Sequence, residues 1–250
     1  MKKLLTVLFA ALMVFSLTAC NKNNGNNGGT TPEPTDDVKV MSHEEYMAAP
    51  LDSEVVIETY VQAHQSWWDN KVTVYAASED GAYFIYNMTA TEEEAAKLVP
   101  GTKIRVTGYK TEWSGEVEVA EGATFEILEG SYLATPVDLT DKLGTDELIN
   151  HQNELFTMKG LTVVGKGDNN LPFFFKYDNS GSHDENSDLY FDVEYNGNVY
   201  TFTVESYLTD NNSDVYKAVE MLNVGDVIDV EGFLYWYEGV NPHITAVTVH

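Results

Sequence analysis

The sequence predicts a mainly β protein built as two copies of one five-stranded unit, each with a short helix between its third and fourth strands. Two observations carry this. Residues 97–117, KLVPGTKIRVTGYKTEWSGEV, align without a gap on residues 221–241, MLNVGDVIDVEGFLYWYEGVN, at a constant offset of 124. Leu98 meets Leu222, Gly101 meets Gly225, Ile104 meets Ile228, Val106 meets Val230, Gly108 meets Gly232, Tyr109 meets Phe233 and Gly115 meets Gly239. Internal repetition of this kind marks a duplicated architecture. The second observation is that runs rich in Val, Ile, Thr and Tyr, alternating apolar with polar residues, recur between turn signals, which is strand character.

In the first copy, EVVIETYVQAHQ alternates as a half-buried strand. KVTVYAAS, the turn EDG and AYFIYNM form a hairpin. TEEEAAKLV opens with Thr91 and Glu94 in capping-box spacing and closes at Pro100-Gly101, so it is a short helix. TKIRVTGYKTE, the turn WSGE and the strands through ATFEILEG complete the unit.

The second copy follows YLATPVDLTDKLGTDELINHQ, a Pro-bearing linker with a short helical lead-in. ELFTMKGLTVVG is its first strand. DLYFDVEYNGNVYTFTVESYL is a hairpin, because Asn-Gly between alternating runs favours a two-residue turn. SDVYKAVEML is the helix, with Asp210, Asn211 and Asn212 as turn and cap residues beside it. Glu58-Thr59 match Lys159-Gly160 at an offset of 101, so the second copy has gained 23 residues before its helix. Much of that gain is NLPFFFKYDNSGSHDENS, between its first two strands.

The order strand, strand, strand, helix, strand, strand resembles the OB-fold, with Gly108 and Gly232 where the fourth strand must bend. The resemblance implies two tandem five-stranded OB-like barrels. The expected division is a leader over 1–19, a lipidated cysteine and linker over 20–40, one OB-like domain over 41–131 and a second over 132–250.

The leader is read from Lys2 and Lys3 followed by LLTVLFAALMVFSL, an apolar run suited to a signal peptide and short of the roughly 20 residues of a membrane-spanning helix. LTAC, Leu17 to Cys20, resembles the lipobox of bacterial lipoproteins. That resemblance implies cleavage before Cys20, lipid on its sulfur and on the new amino terminus, and attachment to the extracytoplasmic face of a bacterial membrane. More than one acyl chain is what stable anchoring requires. Cys20 is the only cysteine, so no internal disulfide forms. Residues 21–37, NKNNGNNGGTTPEPTDD, contain nothing to bury and read as a leash spanning roughly 20–25 Å.

Two of the 14 basic residues fall in the leader, leaving 12 against 40 acidic ones. Such a balance repels phosphate backbones and anionic lipid heads, so nucleic acid is expected not to be a partner. The OB resemblance implies a binding face on strands two and three, rimmed by the loops between strands one and two and between four and five. Trp67 and Trp68 fall at the first of these loops, Trp113 at the second, and Trp236, with Tyr235 and Tyr237, at its counterpart in the second copy. Tryptophans also plug small barrels. Adjacent strand residues point to opposite faces, so Trp67 and Trp68 cannot both fill one core. One packing and one exposed is the expectation. Asp69, Asn70, Gln62 and Gln65 lie close enough to bond a sugar stacked there, although Asp and Asn at a turn are turn formers first.

Asp178, Asp184, Glu185 and Asp188, with His183, gather in one acidic loop whose oxygens suit calcium, but Gly181 does not take the EF-hand glycine position, and a solvated loop is the plainer reading. No zinc motif, nucleophile elbow, P-loop or dinucleotide fingerprint occurs. No cofactor and no catalysis are expected. The function expected is that of a membrane-anchored binding lipoprotein whose aromatic-rimmed barrel face holds an oligosaccharide or a peptide, with an envelope glycan or protein as partner. A protein–protein adaptor would instead present an apolar patch, seeded by Phe173, Phe174 and Phe175. An envelope hydrolase would need perturbed carboxylates clustered in one cleft.

Overall fold

In a computed structural model, residues 39–176 and 187–250 are described. The chain enters through helix α1 (His43–Ala48), closed by a Ser42/Glu45 capping box. Strand β1 (Glu54–His64) then buries Val55, Ile57 and Val61 on alternate positions. It pairs antiparallel with both β2 (Lys71–Ser78) and β4 (Thr102–Trp113). β3 (Gly81–Thr89) returns along β2, and β5 (Glu116–Val119) lies parallel to β3 and antiparallel to β4. The five strands therefore close into a ring, β1-β2-β3-β5-β4. The helix between strands three and four is α2 (Glu92–Ala95), with Thr91 and Glu94 forming the expected capping box. β6 (Thr124–Ser131) resumes the direction of β5 along the rest of β4.

The second sheet repeats this plan. β7 (Val137–Asp138) adds to the outside of β8 (Leu155–Val164), which pairs with β9 (Leu189–Tyr195). β10 (Asn198–Val204) follows through Asn196-Gly197, both with positive φ, the conformation a type I′ hairpin demands. After α3 (Ser206–Thr209) and α4 (Asp214–Glu220), β11 (Val227–Phe233) pairs with β8 and with β12 (His243–Val249). β12 meets β10 in parallel at one pair, Thr203 with His243, giving the same strand order. The protein is mainly β, with OB-like sheets in tandem.

The duplicated glycines behave alike. Gly101 and Gly225 have φ of 92° and 96°. Gly108 and Gly232 sit where a partner crosses too closely for a side chain. A Cβ on Gly232 would lie 2.2 Å from the His243 carbonyl oxygen, and one on Gly108 would lie 2.7 Å from a Val119 methyl. The strand-one match also holds in register: Ile57 faces Val106 as Met158 faces Val230. One bulged residue shifts the second copy between Ile228 and Val230, where the Gly160 N–H bonds the Asp229 carboxylate.

Three apolar clusters result. One fills each barrel, and a third lies between them, built on Tyr75 of β2, Phe84 of β3 and Phe233 of β11. This third cluster explains why β2 is buried along nearly its whole length. Val72, Val74 and Ala76 point into the first barrel while Tyr75 points outward into the cluster between the barrels. Sequence alternation had no way to register that cover.

Several local features depart from the sequence reading. α1, the short α3 and β7 were not expected. In the lead-in over 132–152, β7 is followed by two 3-10 turns, Thr140–Lys142 and Leu148–His151. The three phenylalanines are not a surface patch. Phe174 is buried on Tyr190, and Phe173 and Phe175 pack against the second core.

Candidate ligand groove between the barrels

The seam between the barrels is held by the two turns that the repeat makes equivalent. Ser114 and Glu238 both have left-handed backbones, with φ of 51° and 54°. The Glu238 N–H donates to the Ser114 carbonyl at 2.8 Å, so a position in one copy bonds its own counterpart in the other. The Trp236 ring lies under Gly115, where a Cβ would come within 2.9 Å of it. Gln152 donates to the Gly115 carbonyl, and Glu116 accepts from the Trp236 N–H at 2.9 Å. Aromatic rings complete the seam: Tyr75 stacks on Phe233 at 4.6 Å, and Tyr235 on His243 at 4.4 Å.

The second barrel therefore covers part of the strand-two and strand-three face that an OB barrel ordinarily offers a ligand. What remains open is a groove along the seam. Its middle is a depression of about 430 Å³ walled by Phe84, Tyr86, Trp113 and Tyr235, with Glu118 and Glu205 among its polar lining. Toward the first barrel's loop, Gln65 and Tyr86 are shared with a neighbouring depression of about 370 Å³ that ends on Trp68 and Tyr207. Toward the second barrel, Glu205, Tyr235 and His243 are shared with a third, of about 290 Å³, lined by Tyr190 and Tyr237 on β9 and the β11–β12 loop.

The electrostatics of the middle follow from burial. Glu118 is only 6% exposed and has no hydrogen bond or ion pair among the described residues, and desolvation raises its pKa to about 7. Burial also raises Glu205 to about 7, aided by the nearby charge of Asp188, and one of its oxygens is buried without a partner. Glu116, wholly buried just behind the groove, is raised to about 8 by the same loss of water, with one oxygen unpartnered. His243 is lowered to about 3 by burial, and its Nδ1 lies 2.5 Å from the Tyr75 hydroxyl. It is neutral there, and its Nδ1 and the Tyr75 hydroxyl share one hydrogen bond.

The aromatic residues named from the sequence separate accordingly. Trp67 packs against the first core and donates from Nε1 to the Ala90 carbonyl at 2.8 Å. Trp68 is 71% exposed at one end of the groove, and Trp113 is 60% exposed at its middle. Tyr235 lines the groove, whereas Trp236 is half-buried against the second core. Asp69 and Asn70 form the two left-handed residues of the turn between Trp68 and Lys71. Gln62 ties β1 to the linker, bonding the Tyr132 carbonyl and the Ala134 N–H. Asp188 accepts from the N–H and hydroxyl of Ser206, at the start of α3. Cys20, Asp178, Asp184 and Glu185 lie outside the described residues. Among the described residues no cluster of three or more His, Cys, Asp or Glu could hold a metal ion.

Glu118, Glu205, Tyr86 and His243 were not anticipated. EVEV at 116–119 alternates acid with apolar residue, which places Glu116 and Glu118 on a solvent face until a second barrel covers it.

No family model and no curated protein matches the chain. Solved structures of similar fold include the tetrameric p202 HIN2 (11% identity over 80% of this chain and 95% of that one, TM-score 0.32). A murine DNA-binding protein bound to double-stranded DNA is similar at 12% identity (78% and 94% covered, TM-score 0.35). The p202 HIN1 domain in complex with a 12-mer double-stranded DNA is another (12% identity, 88% and 100% covered, TM-score 0.29). The expectation that nucleic acid is no partner is corrected by these complexes. Net charge describes the whole chain and does not by itself exclude a partner, and these similar structures are solved with DNA bound.

Proposed function

We propose that this chain is a lipid-anchored, extracytoplasmic binding protein that holds an extended ligand, an oligosaccharide or a peptide, in the groove between its barrels without transforming it. One observation carries the reading: three adjoining depressions share lining residues and carry an aromatic side chain at each step, from Trp68 through Tyr86 and Trp113 to Tyr235 and Tyr237. Volumes of this size fit small ligands or short segments of longer ones. Exposed rings with intervening acids and amides suit stacking combined with directional hydrogen bonds. The anchor rests on the Cys20 motif, with the leash after it.

A hydrolase is the second reading, favoured by Glu118 and Glu205, two carboxylates of raised pKa facing one cleft.

The test is tryptophan fluorescence of the full-length chain in detergent, titrated with cell-wall glycan fragments, extended peptides and double-stranded DNA, beside Trp113→Ala and Tyr86→Ala variants. Saturable binding of a glycan or peptide, weakened at least tenfold in both variants and with the ligand recovered intact, is expected. Cleaved ligand would replace the reading by the hydrolase. Binding of DNA alone, untouched by the variants, would refute the groove.

A further inference from the structure

The groove's middle is short of positive charge. We propose that its ligand carries a protonated amine, seated on Glu118, with Glu205 adding its charge from the other barrel, and flanked by the rings of Tyr86, Trp113 and Tyr235. This rests on the groove being the binding site and names the chemical class it takes.

Glu118 is the key side chain. It is more than nine-tenths buried, lines the middle depression, and has no hydrogen bond or ion pair among the described residues. Its carboxylate is not among the polar groups sealed from solvent, so the small exposure it keeps is toward the groove it lines. Glu205 lines the same space from the other barrel; its unpartnered oxygen is sealed from solvent, so it contributes its charge across a short distance rather than a direct contact. A carboxylate held so dry is costly unless paired. Among the described residues, no lysine or arginine lines the middle depression or its neighbour on the second barrel. Among the described residues one lysine lies along the groove, Lys71, which lines the Trp68 end and is paired with Glu121 at 2.5 Å. His243 stays neutral and its Nδ1 is taken by Tyr75. The counter-ion is therefore left to the ligand.

A primary ammonium suits the site in three ways. It offers three donors and no acceptor, matching an open carboxylate that only accepts. Aromatic faces attract cations through their quadrupole, more so where water is thin. A neutral hydroxyl could bond either acid but would leave its charge uncompensated, and the acid would then stay protonated. An amine of this kind can belong to an unacetylated amino sugar or to a lysine side chain.

Charge coupling gives a second handle. The titratable groups facing the two acids are Tyr86, Tyr235 and His243 from the walls, Glu116 behind Glu118, and Asp188 and Tyr75 beside Glu205. Tyr235 is raised further by burial and His243 is neutral, so neither changes charge over the neutral range. With both acids near 7, lowering the pH from 8 to 5.5 reduces the ionised fraction of each about 30-fold. Affinity for a fixed cation should fall by at least that factor.

The experiment titrates the full-length chain in detergent with three probes: a glucosamine tetramer, its N-acetylated twin, and trilysine. The variants are Glu118→Gln and Glu205→Gln, with thermal melting to confirm that each is folded. At pH 6.5 the cationic tetramer or trilysine should bind at least tenfold tighter than the acetylated tetramer, and Glu118→Gln should remove that preference. Trilysine, whose amines stay charged, should weaken about 30-fold between pH 8 and pH 5.5. The tighter of the two cations identifies the source of the amine. Equal binding of the acetylated tetramer, unchanged in Glu118→Gln, would overturn the amine and leave the groove standing. Silence from all three probes would overturn both.

Discussion

Glu116 offers a direct check on the buried acids at the seam. Its side chain has no exposed surface, one oxygen accepts from the Trp236 N–H, and the other has no partner. Burial raises its pKa from 4.5 to about 8, opposed only by neighbours including Asn153 and the Trp236 amide, and reinforced by Glu118. Because the folded value lies above the unfolded one, the carboxyl's contribution is complete below about pH 4.5 and is lost as the pH rises through about 8. At about 1.4 kcal/mol per pKa unit, the loss approaches 5 kcal/mol once the group is ionised. Glu116→Gln keeps the size and the acceptor for Trp236 but cannot ionise. The variant should match the parent at pH 4 and exceed it at pH 9. For a domain of this size, at roughly 2–4 °C per kcal/mol, the gain in Tm is on the order of 10 °C or more. Paired thermal melts across that range cancel the titrating groups that do not interact with Glu116, while Glu118, which repels it, shifts with the substitution. Melting curves that differ by a constant offset at all pH values would refute the reasoning, since the difference would then not involve a proton at this position.

Two further predictions separate packing from contact. Trp67→Ala should cost about 3 kcal/mol, from lost burial and the lost bond to the Ala90 carbonyl, while Trp68→Ala should stay within about 0.5 kcal/mol; denaturant midpoints measure both, and equal costs would contradict the packing described. Gly232→Ala should destabilise the second barrel by more than 3 kcal/mol, because the new methyl would meet backbone, the His243 carbonyl at 2.2 Å, which cannot swing aside. Gly108→Ala should cost less, since it meets the side chains of Val119 and Ala123; a reversed order by denaturant melting would refute this.

Much of the fold was legible because local rules and the repeat agree. Thr91 with Glu94, the Asn196-Gly197 turn and the paired glycines at 108 and 232 each have one good structural solution, and it is the one adopted. α1 carried an equally clear signal in Ser42 and Glu45, which went unread beside the longer β pattern. The site was harder for a physical reason. Periodicity reports which face of a strand is buried, but not by what. Glu116 and Glu118 look like solvent-facing partners of Val117 and Val119, and Tyr75 looks like a surface tyrosine between Val74 and Ala76. Each is buried by residues of the other copy, more than a hundred positions away. The tryptophans gave the loops that rim the groove, but not the acids between them.

The duplication itself accounts for the groove. Two identical barrels docked through the same turn would present two equivalent faces. Here the docking turn bonds Ser114 to Glu238, its counterpart, yet the flanking residues have diverged: Trp113 is exposed toward the groove, whereas Tyr237 occupies the equivalent place on the third depression. The closing strands diverge in kind. Glu118 of β5 pairs with Phe84 much as His243 of β12 pairs with Thr203, so one copy sets a carboxylate and the other an imidazole at corresponding edges. The imidazole is consumed by Tyr75 of the first barrel, in the cluster that buries that barrel's own binding face. The carboxylate is left unpartnered. Duplication thus exchanged two separate faces for one shared groove, in which the second barrel supplies much of the wall and the first supplies the open acid.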